Sequence, residues 1–298
     1  MKQNNKVLVF GGSGFLGSHV VDKLSQNNFD VTIFDKNESI YKKNNQKYIC
    51  GDILSHKEVN NAVKNNEYVY NFAGLSDLNE SINKPIDSVN LNILGTVNIL
   101  DACKNHNIKK FIFASTIYVY SKQGSFYKVS KQACENYIEN FYTEFGLKYK
   151  ILRYGSLYGA RSNNKNGLYR FIYDALVNKK LEFNGDPKSK REFINVEDAA
   201  DCTVDILDDN KYKANHITIT GNQLISISEL FEMISEILKQ KLDIKYIDAS
   251  KKNSHYALTP YEFSPTYGKK IVPEQYIDLG QGLLKLIENI DQDVKIKK

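Results

Sequence analysis

The chain has 298 residues, 42% hydrophobic and 25% charged, with a net charge of +5. That is enough apolar material for one large folded domain or two modest ones, and it argues against a disordered polymer. No run approaches the roughly 18 apolar residues of a membrane span, no dense basic stripe marks a nucleic-acid binder, and Cys50, Cys103, Cys134 and Cys202 form no CxxC or Cys/His cluster, so packed thiols are expected rather than disulfides or a metal site.

The opening MKQNNKVLVF offers only Val7–Phe10 as an apolar run. That is too short for a signal-peptide core, so a cytoplasmic protein is expected. Lys6–Phe10 reads as a strand. GGSGFLG at Gly11–Gly17 follows it and opens a helical pattern over Phe15–Ser25. In that context Gly11 permits a tight turn, Gly14 lets the backbone approach a pyrophosphate, and Gly17 allows close helix packing. The helix N-terminus then faces the phosphates. The spacing is G-x-x-G-x-x-G.

Val31–Asp35 is the second strand. Asp35 at its end can accept hydrogen bonds from an adenosine ribose and repel a 2′-phosphate, which favours NAD over NADP, while the adjacent Lys36 pulls the other way. Lys47–Cys50 is the third strand. Asp52, just beyond it, sits either near an adenine or in a turn capping a helix over His56–Lys64.

Tyr68–Phe72 and Lys110–Ser115 are strands on either side of a helix over Ser88–His106. Thr116 follows the second of these at its C-terminal end, where ligands sit in such sheets. Its hydroxyl either meets a substrate alcohol or caps the next turn. A helix over Tyr127–Phe145 then opens on Tyr127 and Lys131, whose spacing puts both on one face. A nearby ammonium and a positive nicotinamide favour tyrosinate, lowering the phenol pKa from about 10 towards that of a usable base. With 20 tyrosines in the chain, Tyr-x-x-x-Lys alone carries little weight, and it also occurs at Tyr118/Lys122. That copy runs off a strand end into SKQGS, a poor helix; only Tyr127/Lys131 has the geometry.

Tyr149–Arg153 is the sixth strand. SLYGARSNNKNG reads as loop, followed by a helix over Leu168–Asn178, a strand over Phe193–Val196, a helix over Glu197–Leu207 and a strand over His216–Thr220. Ser228–Lys239 is an amphipathic helix with Ser228 as its cap, and HYALTPYEFSPTYG is expected to wrap over the fold as ordered loop. Alternating β and α, with strands apolar on both faces, implies an α/β fold: a doubly wound parallel sheet with helices on both sides. The four arginines, Arg153, Arg161, Arg170 and Arg191, all fall in one window. They are either structural ion pairs or the grip on a phosphate-bearing ligand, which lysine does not replace well.

From Lys6 to about Leu207 the chain resembles the extended short-chain dehydrogenase/reductase family, specifically its NAD-dependent nucleotide-sugar epimerase/dehydratase group. The stretches that carry the likeness are VFGGSGFLGSHV, NFAG, NILGTVNILDAC, FIFASTIYVY, YKVSK, LRYGSLYGAR and REFINVEDAA. The resemblance implies a Rossmann core, about 1–155 plus 191–222, and a small substrate lobe, about 156–190 plus 223–298. It implies NAD held by Gly11, Ser13, Gly14, Phe15, Leu16, Asp35, Asp52, Ile53, Ala73 and Gly74, with Tyr127 and Lys131 beside the nicotinamide. Thr116 orients the sugar hydroxyl, Tyr127 is the base, and Lys131 holds the nicotinamide ribose. Ser156, Arg161 and Arg191 complete the nucleotide-sugar side, with no metal. A homo-oligomer, dimer or higher, paired through the two long helices, is expected, and polysaccharide biosynthesis is the implied setting.

The departures are specific. Phe10 stands where Thr is usual, Asn71 where His is common, Tyr120-Ser121 where Tyr-Gly is usual, and Ser156 where an Asn often contacts substrate. The Thr116–Tyr127 interval is much shorter than usual, so the pocket rim is trimmed or completed by another segment. Ile117 and Tyr118 stand where 4,6-dehydratases carry acidic residues. The reading is therefore an NAD-dependent nucleotide-sugar epimerase or dehydrogenase acting at C4. A keto-sugar reductase, a non-catalytic NAD sensor or scaffold, and an oxidoreductase of small lignin-like or steroid alcohols are the alternatives.

Overall fold

A computed structural model describes residues 5–247 and 258–260. Seven strands form one parallel sheet: β1 (Lys6–Phe10), β2 (Asp30–Asp35), β3 (Lys47–Cys50), β4 (Tyr68–Asn71), β5 (Lys110–Thr116), β6 (Tyr149–Tyr154) and β10 (His216–Ile219). Their order is β10-β6-β5-β4-β1-β2-β3. The sequence direction reverses between β1 and β4, the place where open α/β sheets bind ligands beyond their strand ends.

The strands read as continuous apolar runs because both faces are buried. Successive side chains point to opposite faces. Leu8 and Phe10 of β1 enter one core cluster together with Phe111 and Phe113 of β5. Val7 and Val9 enter the other, with Ile112 between the two phenylalanines of β5. The first face is covered by α2 (His56–Val63), α5 (Gly95–Asn105) and α6 (Ser125–Phe145); the second by α1 (Phe15–Gln26) and α8 (Val196–Asp205).

The expected helix over Ser88–His106 is two pieces, preceded by a short turn of helix. After α3 (Leu78–Asn83) come α4 (Pro85–Asp87), a π-helical stretch over Ser88–Leu94, and then α5. Single π turns commonly mark functional sites. Here the stretch carries the buried Asn92. Asn92 Oδ1 accepts from the Leu75 N–H at 2.7 Å, and its Nδ2 donates to the Leu75 carbonyl and to Ser130 Oγ. Gly74, at φ +143°, has no room for a Cβ against Asn92 Oδ1.

Beyond β6 the structure adds elements the sequence pattern does not announce. β7 (Ser156–Tyr158) lies inside the expected loop and pairs with β9 (Lys190–Asn195), which also pairs with β11 (Leu224–Ser226). β8 (Lys180–Asn184) pairs with β12 (Asp243–Ile247). With α7 (Gly167–Asn178) and α9 (Ile227–Leu238), these frame a third core cluster around Leu181, Leu230 and Phe231. The cap of α9 is Ser226, not Ser228. Ser226 Oγ accepts from the Glu229 N–H while the Glu229 carboxylate accepts from the Ser226 N–H, a reciprocal box that Ser228 has no partner to make. Most of HYALTPYEFSPTYG lies outside the described residues; Thr259 Oγ1 within it accepts from the Glu192 N–H.

Candidate active site

A cleft of about 800 Å³ runs across the C-terminal ends of β1, β2, β4 and β5. At one end is the glycine loop. Gly11 has φ +72°, and a Cβ there would meet the backbone of Phe72 and Ala73. A Cβ on Gly17 would strike the Gly11 carbonyl. Gly14 caps α1 with no side-chain cap, and no acidic residue lies in the first turn. The first-turn N–H groups, which have no acceptor within the helix, therefore remain for an anion. Asp35 lines the same end, where its carboxylate accepts from the Ser13 N–H at 3.1 Å. A close-packed glycine turn, an uncapped helix start and a carboxylate at the end of β2 together fit a dinucleotide.

Of the other residues expected to hold a cofactor, Phe15, Leu16, Ile53, Ala73 and Gly74 line the cleft. Asp52 turns aside. Its carboxylate pairs with Lys36 at 2.9 Å and accepts from the Leu54 N–H, so it serves the turn before α2, while Gly51 and Ile53 face the cleft.

At the other end Thr116, Tyr127 and Lys131 come together. Thr116, buried at the tip of β5, accepts from the Tyr118 N–H and so caps the short 3-10 turn Ile117–Tyr120. It also hydrogen-bonds Tyr127. The trimmed interval is thus this single turn, followed by Gly124 at φ +105° and the start of α6.

Lys131 is buried and donates to the Ala114 carbonyl at 2.8 Å. Its Nζ stands 4.6 Å from the Phe113 ring centre and 5.8 Å from that of Tyr127. Burial pulls its pKa below the usual lysine value. Burial also pushes the Tyr127 phenol up to about 12, with the Thr116 bond pulling the other way. The expected lowering counts a positive nicotinamide together with Lys131, whereas this rise belongs to the chain's own groups. The ammonium is anchored on Ala114 and is not directed at the phenol oxygen, so desolvation dominates the chain's own contribution.

A polar network that the sequence did not signal backs this trio. Glu135, two turns after Tyr127 on α6, accepts from Ser115 Oγ at 2.5 Å and from Arg153 Nε and Nη2 at 3.1 and 2.6 Å. Arg153 Nη1 donates to Tyr120 Oη, and its Nη2 meets His216 Nδ1 at 3.1 Å. The network ties β5, α6, β6 and the short turn together beside Thr116.

The arginine window divides accordingly. Arg153 is a structural partner of Glu135. Arg161 donates through Nη2 to the buried Asp22 at 2.7 Å and lies over the Tyr41 ring, while its buried Nη1 has no hydrogen-bond partner. Arg170 donates to the Asn164 and Lys165 carbonyls. Arg191 is buried on β9, opposite Ile225. Ser156 lies on β7 in register with Phe193, and its neighbours Gly155 and Leu157 line the cleft. Among the described residues no cluster of metal-ligating side chains forms, and no helix is long and apolar enough to cross a membrane.

The sequence matches the NAD dependent epimerase/dehydratase family over residues 7–220. It is 33% identical to a "Putative UDP-glucose 4-epimerase" of Methanocaldococcus jannaschii, over 76% of this chain and 81% of that protein. Among solved structures it is similar to a UDP-N-acetylglucosamine 4-epimerase of Methanobrevibacter ruminantium in complex with UDP-N-acetylmuramic acid, at 28% identity and a TM-score of 0.76, covering 88% of this chain and 90% of that one. It is also similar to a UDP-glucuronic acid 4-epimerase of Bacillus cereus in complex with UDP-glucuronic acid and NAD, at 25% identity and a TM-score of 0.78, covering 88% and 95%.

Proposed function

The chain belongs to the NAD-dependent epimerase/dehydratase family, and from that premise we propose that it is a 4-epimerase of UDP-sugars. Its chemistry is NAD-dependent oxidation of a nucleotide sugar at C4. The observation that carries the reading is the Thr116–Tyr127–Lys131 trio at one end of a cleft whose other end is the glycine loop and Asp35.

In this reading Tyr127 takes the proton from the C4 hydroxyl, and Thr116, already bonded to Tyr127, orients that hydroxyl. Lys131 holds the cofactor ribose and its charge favours tyrosinate. Bound NAD would accept the C4 hydride and supply a further positive charge. Burial raises the Tyr127 phenol in the chain alone, and that added charge would act against the rise. After the keto sugar has turned in the cleft, the hydride would come back to the opposite face of C4 while Tyr127 returns the proton to the C4 oxygen. Gly11, Ser13, Gly14, Phe15, Leu16, Asp35, Ile53, Ala73 and Gly74 are the proposed cofactor contacts. Arg191 and the Ser156 segment are the proposed nucleotide-sugar contacts.

The two-part division, a Rossmann core and a substrate lobe, belongs to the same proposal and is supported by the separate third core cluster. So does a homodimer through α6 and the helical segment before α5, supported by the exposed Val89, Leu94, Phe126, Val129 and Phe145 there. A cytoplasmic location, where an exposed thiol such as Cys50 stays reduced, completes it.

The test is to incubate the protein with NAD and, separately, UDP-glucose, UDP-glucuronate and UDP-N-acetylglucosamine. Proton NMR then follows inversion at C4, and near-ultraviolet absorbance follows reduced nicotinamide. Inversion without net reduced cofactor is the expected result. Stoichiometric accumulation of reduced cofactor would instead assign a dehydrogenase, and cofactor binding with no turnover would assign a sensor.

A further inference from the structure

None of the arginines, the cations expected to grip a phosphate, lines the cleft: Arg153 pairs with Glu135, Arg161 Nη2 with Asp22, and Arg170 with backbone carbonyls. The cations that do line the cleft, among the described residues, are Lys36, Lys131 and Lys165. Lys36 follows Asp35 at the glycine-loop end of the cleft, and Lys131 is buried on the Ala114 carbonyl. Lys165 differs. Its Nζ reaches across the cleft to Glu80 Oε2 at 2.9 Å, joining a segment after β7 to α3, a helix that follows β4.

The two ends of this bridge are built differently. The Lys165 backbone is fixed: its N–H donates to Asn163 Oδ1, its carbonyl accepts from Arg170, and the neighbouring Asn166 side chain caps α7 and donates to the Leu157 carbonyl. Only the long, largely exposed side chain is left to move. On the other side Glu80 is shared. It also accepts from Lys84 at 3.3 Å, and its carboxyl is held below the usual range, first by Lys165 and then by Lys84. Glu80 therefore keeps a cationic partner if Lys165 leaves. An exposed pair of this kind contributes little stability, whereas a phosphate or carboxylate offers an ammonium a charge-assisted hydrogen bond within a partly enclosed cleft.

We propose that Lys165 receives an oxyanion of the nucleotide sugar, with Glu80 as the displaceable counter-ion that parks it across the cleft until ligand enters. This rests on the nucleotide-sugar reading above. The oxyanion is the diphosphate or, for a uronate substrate, the sugar carboxylate.

The test uses the full chain with NAD, the variants Lys165→Gln and Glu80→Gln, and UDP-glucose and UDP-glucuronate as probes. Lys165→Gln should raise KM about tenfold while kcat stays within about threefold. Glu80→Gln should lower KM about two- to fivefold, because it frees Lys165. A KM rise shared by both sugars assigns the diphosphate; a rise confined to UDP-glucuronate assigns the carboxylate. A bridge that is merely a structural brace would move both variants the same way, with lowered thermal midpoints, and that result overturns the proposal. Unchanged KM values in Lys165→Gln, with wild-type turnover intact, overturn it alone. A wild-type protein that neither binds UDP nor turns over either sugar overturns the functional reading and this inference together.

Discussion

Lys131 Nζ stands 5.8 Å from the Tyr127 ring centre while donating to the Ala114 carbonyl at 2.8 Å. The lysine is thus fixed by β5 beside the tyrosine ring. Lys131→Met should remove positive charge beside the phenol and weaken the hold on the cofactor ribose. The expected outcome is a loss of at least about tenfold in kcat and a rising limb of the pH–rate profile displaced to higher pH, since tyrosinate loses a stabilising cation. A profile with an unmoved limb would confine Lys131 to a structural role. The measurement is kcat against pH for both proteins.

The Glu135–Arg153 pair is buried on both sides, with side chains 5% and 8% exposed. Removing one partner of such a pair leaves an uncompensated buried charge and costs about 3–5 kcal/mol. Glu135→Gln should approach that loss, read as a shift in the denaturant midpoint. Because the same carboxylate holds Ser115, next to Thr116, the variant should also lose turnover under conditions where it remains folded.

Asp22 tests the opposite face of the sheet. Partial burial raises its pKa, but hydrogen bonds from Arg161, Gln46 and Lys43 outweigh it, and the folded value is lowered. A depressed carboxylate contributes stability that is present above its unfolded pKa, about 4, and is lost as pH falls through the folded value. Wild-type stability should therefore fall as pH drops below about 4. Asp22→Asn should be less stable at neutral pH and flatter across that acid window. Equilibrium denaturation at a series of pH values reads both; parallel curves for the two proteins would remove Asp22 from the account of acid sensitivity.

Much of the sheet was legible because strands buried on both faces read as continuous apolar runs; VLVF and KFIFAS lie within β1 and β5. The glycine loop was legible because φ +72° at Gly11 and the packing of Gly17 leave no choice of residue. Other features had no local signal. The π-helical stretch carries Asn92, whose partner Leu75 lies earlier in the chain, in the loop between β4 and α3. Arg161 gives no local sign of its partner Asp22, which is 139 residues away. Glu135 and Lys165 are unremarkable in a chain rich in both charges, and only tertiary contact gives them roles. The position of the Lys131 ammonium had no local signal for a related reason: sequence spacing puts Lys131 on the same helical face as Tyr127 but does not say that its ammonium turns to Ala114.

The short Thr116–Tyr127 turn brings the account to one residue. Tyr127→Phe keeps the ring and its packing and removes only the hydroxyl that bonds Thr116. The direct measurement is C4 inversion of a UDP-sugar by this variant under saturating substrate, alongside its binding of NAD and UDP. The expected result is near-wild-type binding of both with turnover reduced about 10²- to 10⁴-fold, the range lost with a general acid–base group. Turnover at the wild-type rate would contradict the assignment of Tyr127 as the base.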